Sequence, residues 1–278
     1  MLLATVLALS SAAMHAGWNL AVKRATGDRY IALWGAFSVT APATLLLVFM
    51  YPPVTGSLPW AALSGLAHVP YCWFLARGYD RGDYSVVYPI ARGGGAALGG
   101  IGGFLFLDDR LSVLGLTAIA VIVCGLILLP DRRRGSDITA ALAVASTIAV
   151  YSVSDARGIR MGGSGRAGWR YVSASFLAGS ICITLFGLLL GKGPAMRHAV
   201  RADWKRFVLV GSMSKTTYAM VQFAMRLAPV GYVSALRESS VVFASLIGWK
   251  FLGETGSKRR LWCSGIVAAG LLLLVVAR

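Results

Sequence analysis

Residues 91–112 read ARGGGAALGGIGGFLFLDDRLS, and residues 236–257 read LRESSVVFASLIGWKFLGETGS. At a constant offset of 145 positions, Arg92 falls on Arg237, Gly103 on Gly248, Phe106 on Phe251, Asp109 on Glu254 and Ser112 on Ser257. Leucine coincidences carry no information in a chain that is 57% hydrophobic. An arginine inside an apolar run, followed by an acid at the end of that run, is harder to obtain twice in one register by chance. Arg81 with Arg226 and Gly125 with Gly270 extend the same register. The two stretches are equivalent parts of two repeats.

Outward from these stretches the chain is apolar. Charged residues make up 14% and mean hydropathy is +0.69. Apolar runs near 20 residues recur, the length a helix needs to cross a hydrocarbon core. Ten spans are predicted, at 2–22, 30–50, 60–75, 84–106, 111–129, 138–153, 169–190, 207–227, 231–251 and 261–277. The expected fold is an all-α integral membrane protein with ten transmembrane helices. Its two units are residues 1–130 and 138–278, each of five helices. Five is odd, so the second unit enters the membrane inverted relative to the first. Inverted repeats with a site at their interface are a secondary-transporter architecture.

The net charge of +16 does not indicate nucleic acid. Most basic residues lie in short connections, where they meet lipid headgroups, and no separate basic domain exists. They concentrate in the odd-numbered connections, among them Arg132, Arg133, Arg134, Lys258, Arg259 and Arg260. That bias places the odd connections in the cytoplasm and both termini outside. The start, MLLATVLALSSAAMHA, lacks the basic leader of a signal peptide, so the first span is expected to be retained. Cys72, Cys124, Cys182 and Cys263 are far apart in sequence, form no CxxC and have no paired histidines, so they read as small apolar filler. Neither a metal nor a cofactor is expected. Catalytic carboxylate pairs and serine–histidine–acid patterns are not visible, and enzymatic activity is not expected.

Arg92 lies eight residues beyond Tyr84, about 12 Å along a helix, and Arg237 lies six beyond Gly231, about 9 Å from the opposite face. Both therefore reach the middle third of a core about 30 Å thick. An arginine at that depth costs roughly 2.5–3.5 kcal/mol on insertion scales and normally faces a bundle interior or an aqueous cavity. With these boundaries Glu238 is the one carboxylate deep in a span, so two arginines face one counter-charge. Either the charges form a structural pair, or a ligand supplies the missing negative charge. Gly95, Gly99 and Gly103 have the GxxxG spacing that lets helices approach closely, with Gly99 common to both pairs. Pro89 is expected to kink the helix before Arg92.

Other polar residues stand in predicted spans. His15 and Asn19 share one face of span one, and His15 would titrate near neutral pH. Lys215 and Gln222 lie two turns apart in span eight, Asp155 ends span six, and His68 precedes Pro70. Each of these also suits a satisfied interior hydrogen bond.

The segments GFLFLDDRLSVLGLTAIAVIVCGLILL and GWKFLGETGSKRRLWCSGIVAAGLLLLVV resemble the drug/metabolite transporter superfamily, in particular its EamA-type ten-helix members. MHAGWNLAVK, GDYSVVYPIARG and VSALRESSVVFASLIG resemble one branch of it. The resemblance covers nearly the whole chain. It implies a permease with a central cavity lined by spans one to four and six to nine. One departure is Asp108-Asp109, where the first acidic turn of the family usually has Gly-Glu. The expected function is secondary-active transport of a small anionic or zwitterionic metabolite by alternating access, in a bacterial cytoplasmic membrane. The candidate substrate residues are Arg92, Arg237, Glu238, Tyr88, His15 and Asn19, and the candidate proton-coupling residues are His15, Asp155 and Glu238. The expected partners are a small-molecule substrate and the lipid bilayer. Alternatives are a proton-coupled exporter of drugs or amines, a lipid-carrier flippase, and a membrane assembly protein that does not transport.

Overall fold

The apolar runs fold as helices. The computed structural model describes residues 1–23, 27–81, 84–128, 138–163, 165–240 and 258–277, and within these the chain is all-α, without strands. The first half supplies α1 (Leu2–Lys23), α2 (Arg29–Ser38), α3 (Ala41–Met50), α4 (Leu58–Arg81), α5 (Tyr84–Leu107) and α6 (Val113–Leu128). The second supplies α7 (Ile138–Met161), α8 (Trp169–Leu189), α9 (Gly193–Leu227), α10 (Val230–Arg237) and α11 (Lys258–Val276). Residues 241–257 lie outside the described residues, and with them Gly248, Phe251 and Glu254.

Four described segments are long and apolar enough to cross a membrane: Arg29–Met50, Ile90–Leu107, Ile138–Met161 and Gly165–Leu189. Leu2–His15, Val113–Leu128 and Gly265–Val276 are shorter apolar helices. The outside of the bundle is apolar, with Phe49, Phe106, Val113 and Leu189 each more than 70% exposed. Asp155, Gln222, Glu238 and both predicted intramembrane arginines are buried. This inversion of the soluble pattern, with greasy surface outside and polar side chains within, identifies a multi-pass integral membrane protein.

Several span boundaries differ from expectation, the third span among them, which runs on to Arg81. Span two is two helices, broken at Val39 and Thr40. Pro42 causes the break: it has no N–H, and its ring would meet the Ser38 carbonyl if the helix continued. Next to the break the chain is tied to α8: Ser180 Oγ donates to the Phe37 carbonyl at 2.9 Å, and Ser38 Oγ donates to the Ser180 carbonyl at 3.3 Å. The sixth span continues past residue 153 to Met161. Connection seven is largely helical, joined to the eighth span through a break at Asp203 (φ −128°, ψ 21°). Pro89 leaves α5 unbroken.

The glycines of α5 set its neighbours. A Cβ on Gly95 would lie 2.7 Å from Ile148, and one on Gly102 would lie 2.7 Å from Val153, so this face packs closely on α7. The face toward α10 uses Gly100 and Gly103. A Cβ on Gly231 would lie 2.9 Å from the Gly100 backbone. Gly99 is not the point of closest approach: its added Cβ would stand 3.7 Å from Ser234 and Val230, an ordinary contact. The tightest backbone approach to α10 thus falls at Gly100, one position after Gly99, while Gly103 of the GxxxG series faces the same helix.

Asp109 joins the two halves. Its Oδ2 accepts from the Val230 amide at 2.7 Å, capping the first turn of α10, and its Oδ1 lies 2.8 Å from Arg160 Nη1. Arg160 Nε and Nη2 donate to the Met225 and Ala228 carbonyls at the end of α9. The preceding Asp108 has φ +56°. That left-handed conformation favours glycine and is tolerated best, among other residues, by Asp and Asn, which explains why Asp replaces Gly in this turn.

Three apolar clusters build the described interior, a small one around Tyr171 and two larger ones. Of the larger two, one joins α1, α6, α9, α10 and α11, and the other joins α2, α4, α7 and α8. Tyr218 packs against both.

Candidate functional site

The polar interior lies where the two larger clusters meet at Tyr218, as two adjoining chambers that share Phe37, His68, Ser214 and Tyr218. The first chamber contains His15 from α1, Arg92 from α5, Tyr151 from α7 and Arg237 from α10. Arg92 and Arg237, found by their repeat register, are 6% and 5% exposed and line the same cavity.

Their surroundings differ. Arg92 Nη2 lies 2.7 Å from Glu238 Oε1, with both side chains buried. Arg237 Cζ stands 5.5 Å from the centre of the Tyr218 ring, a cation–π contact. Among the described residues no carboxylate lies within ion-pair distance of Arg237. Glu238 follows Arg237 directly in sequence but turns to Arg92. Its other oxygen, Oε2, is buried without a hydrogen-bond partner among the described residues.

Asp155 corrects a sequence expectation. It lies within α7, fully buried, so Glu238 is not the one carboxylate deep in the bundle. The apolar run ends near residue 153, but the helix continues because other helices cover its polar residues. Tyr171 OH donates to Asp155 Oδ1 at 2.8 Å, and Tyr218 OH donates to Oδ2 at 2.5 Å. Tyr218 therefore links Asp155 at its hydroxyl to Arg237 at its ring face. His68 stacks on Tyr151 with centroids 4.5 Å apart. Its Nδ1 lies 2.7 Å from the Ser64 carbonyl, which assigns the proton to that nitrogen.

The second chamber is lined by Lys215, Gln222, Ser64, Ser175 and Phe176. Lys215 Nζ donates to Thr44 Oγ1 at 2.6 Å and lies 5.7 Å from the Phe176 ring centre. Gln222 Nε2 donates to Ser175 Oγ at 2.9 Å.

Of the sequence candidates, His15, Arg92 and Arg237 meet in the first chamber, with Glu238 bound to its edge through Arg92. Asp155 lies behind the tyrosines. The side chains of Asn19 and Tyr88 lie outside the described residues, although their backbones belong to α1 and α5. The aromatic wall of Phe37, Tyr71, Tyr151 and Tyr218 was not singled out from the sequence. Its signal was spacing: Tyr151 with Asp155, Ser64 with His68, and Tyr218 with Gln222 are each four apart, on single helix faces.

A search of curated protein sequences returned no match. A solved structure described only as "Crystal structure of protein" superposes with a TM-score of 0.74 at 15% identity, covering 99% of each chain. This is a likeness of fold. The profile of the EamA-like transporter family matches residues 136–276, just over half of the chain. With that match on a multi-pass helical bundle, the chain belongs to the EamA-like transporter family, membrane transporters of small solutes within the drug/metabolite transporter superfamily.

Proposed function

We propose that this protein is a secondary-active transporter of a small anionic or zwitterionic metabolite. The observation that carries this reading is the uneven pairing of two buried arginines. Glu238 neutralises Arg92, while Arg237 lines the cavity beside it without a carboxylate partner among the described residues. A ligand carboxylate or phosphate would supply the missing charge, gripped by the planar fork of the guanidinium.

The proposed cycle is alternating access of two inverted five-helix repeats, 1–130 and 138–278. A reciprocal contact supports this symmetry. A Cβ on Gly125 would lie 2.8 Å from Val267, and one on Gly270 would lie 2.7 Å from Ile122. At the offset of 145, Ile122 corresponds to Val267 and Gly125 to Gly270. Exchanging the repeats leaves this contact unchanged, the signature of a two-fold relation between α6 and α11.

Asp155, Glu238 and His15 are the groups able to carry a coupling proton through this region. In the proposed orientation both termini face away from the cytoplasm, in a bacterial inner membrane.

Reconstitution in vesicles tests the reading. Vesicles loaded with small anionic and zwitterionic metabolites should exchange at least one of them, and Arg237→Gln should abolish that flux while the purified variant still melts cooperatively. Unchanged flux in Arg237→Gln would remove Arg237 from substrate binding.

A further inference from the structure

The second chamber has a chemistry that the arginine site does not need. Lys215 stands 12 residues beyond the break at Asp203, about 18 Å along α9 and inside the span predicted at 207–227. An ammonium at that depth is expensive unless something compensates it. Among the described residues no carboxylate lies within ion-pair distance of Lys215. Its hydrogen-bond acceptor is Thr44, whose own hydroxyl donates to the Thr40 carbonyl at 3.1 Å. An ammonium has three donors, so a neutral hydroxyl leaves most of its capacity for another acceptor.

A second observation points to the same place. Gln222 is fully buried and lines this chamber, and its Oε1 has no hydrogen-bond partner among the described residues. Orphaned buried polar atoms are uncommon in folded proteins. Among the described residues the chamber therefore holds a cation without a counter-ion and an acceptor without a donor.

Aromatic rings connect the two chambers. Arg237 Cζ is 5.5 Å from the Tyr218 ring centre, Tyr218 is 6.2 Å from Phe176, and Phe176 is 5.7 Å from Lys215 Nζ. The two cations are thus joined through a series of ring contacts.

We infer that Lys215 heads a second anion subsite, and that the ligand carries two anionic groups, one at Arg237 and the other at Lys215. The inference rests on the proposed anion site at Arg237 and adds the second headgroup. Gln222 Oε1 would accept from a hydroxyl or amine near the Lys215 end. A monoanion would use one subsite and leave the other cation uncompensated.

The test uses the full-length purified protein and reads ligand-induced thermal stabilisation as a function of concentration. The probes are linear dicarboxylates from malonate to suberate and monocarboxylates of equal chain length. One dicarboxylate length should bind about tenfold or more tightly than its monocarboxylate. Lys215→Gln should erase that advantage without weakening the monocarboxylate, Lys215→Arg should keep it, and Thr44→Val should reduce it. The ligand-free melting of each variant controls for folding. A Lys215→Gln protein that keeps the full dicarboxylate advantage overturns the second subsite and leaves the Arg237 site standing. Equal monocarboxylate binding by wild type and Arg237→Gln overturns the anion site itself. Stabilisation by none of the probes overturns both.

Discussion

Arg92 and Arg237 line one cavity and are equally buried, but their partners differ in kind. Arg92 has the Glu238 carboxylate at 2.7 Å, whereas Arg237 has the face of a tyrosine. A carboxylate partner completes a charge; a tyrosine ring only softens it. The comparison teaches that two buried arginines in one cavity can have different electrostatic surroundings. Arg92 joins α5 to the residue that ends α10, whereas Arg237 faces the cavity without a carboxylate partner among the described residues. Tyr218, which holds Asp155 with its hydroxyl, ties Arg237 to a buried acid.

The largest effect should come from breaking the completed side of this comparison. Glu238→Gln strands a buried guanidinium, and removing one partner of a buried pair costs about 3–5 kcal/mol. Thermal melting of the purified protein should fall sharply, and adding Arg92→Met should restore much of the loss. A Glu238→Gln protein with wild-type melting would show that Arg92 and Glu238 do not depend on each other.

The next effect tests the other side. Arg237→Gln should weaken an anionic ligand by about 1.5–3 kcal/mol, the range for hydrogen bonds to charged groups, as measured by titration calorimetry. It should lower stability less than Glu238→Gln does. Equal loss of stability in the two variants would erase the distinction between a structural and a ligand-facing arginine.

A third test concerns the seam that brings the two arginine helices together. Gly231→Ala would press a methyl group onto the Gly100 backbone and should cost about 1–3 kcal/mol by overpacking. Gly99→Ala meets only ordinary contacts and should be mild. Chemical denaturation of the two variants compares them directly, and a greater loss at Gly99 would return the seam to the position expected from GxxxG spacing.

The smallest effect belongs to an ion pair outside the membrane, which sets the scale for the buried one. Asp28 caps α2 through the Tyr30 and Ile31 amides and pairs with Lys192. Partial burial pushes its carboxyl up, but the hydrogen bonds from Lys192 and the two amides outweigh this and hold it below its ordinary value. A lowered folded pKa means that the contribution is complete above the unfolded value, about 3.9, and is lost as pH falls through the folded value. Asp28→Asn should therefore lower the melting temperature slightly at pH 7 and converge with wild type in acid. The pair should be worth less than about 1 kcal/mol and should weaken with salt. A larger loss in acid than at pH 7 would reverse the sign.

Much of the helical framework was legible in the sequence because hydropathy and length act locally: an apolar run near 20 residues must satisfy its backbone internally, and helix does so. The register also singled out Arg92 and Arg237, which the structure buries in one cavity. Tertiary structure decided their partners. Glu238 is adjacent to Arg237 in sequence yet pairs with Arg92, 146 positions away, because the helix end turns its carboxylate across the cavity. The depth of Asp155 was hidden for a related reason. Its helix outlasts its apolar run, and the hydroxyls that satisfy it come from α8 and α9. The Gly100–Gly231 contact was likewise beyond a spacing rule, because Gly100 stands outside the GxxxG series. Local chemistry determined what could lie in the membrane; only the packing of distant helices determined which charges were neutralised there and which were left facing the cavity.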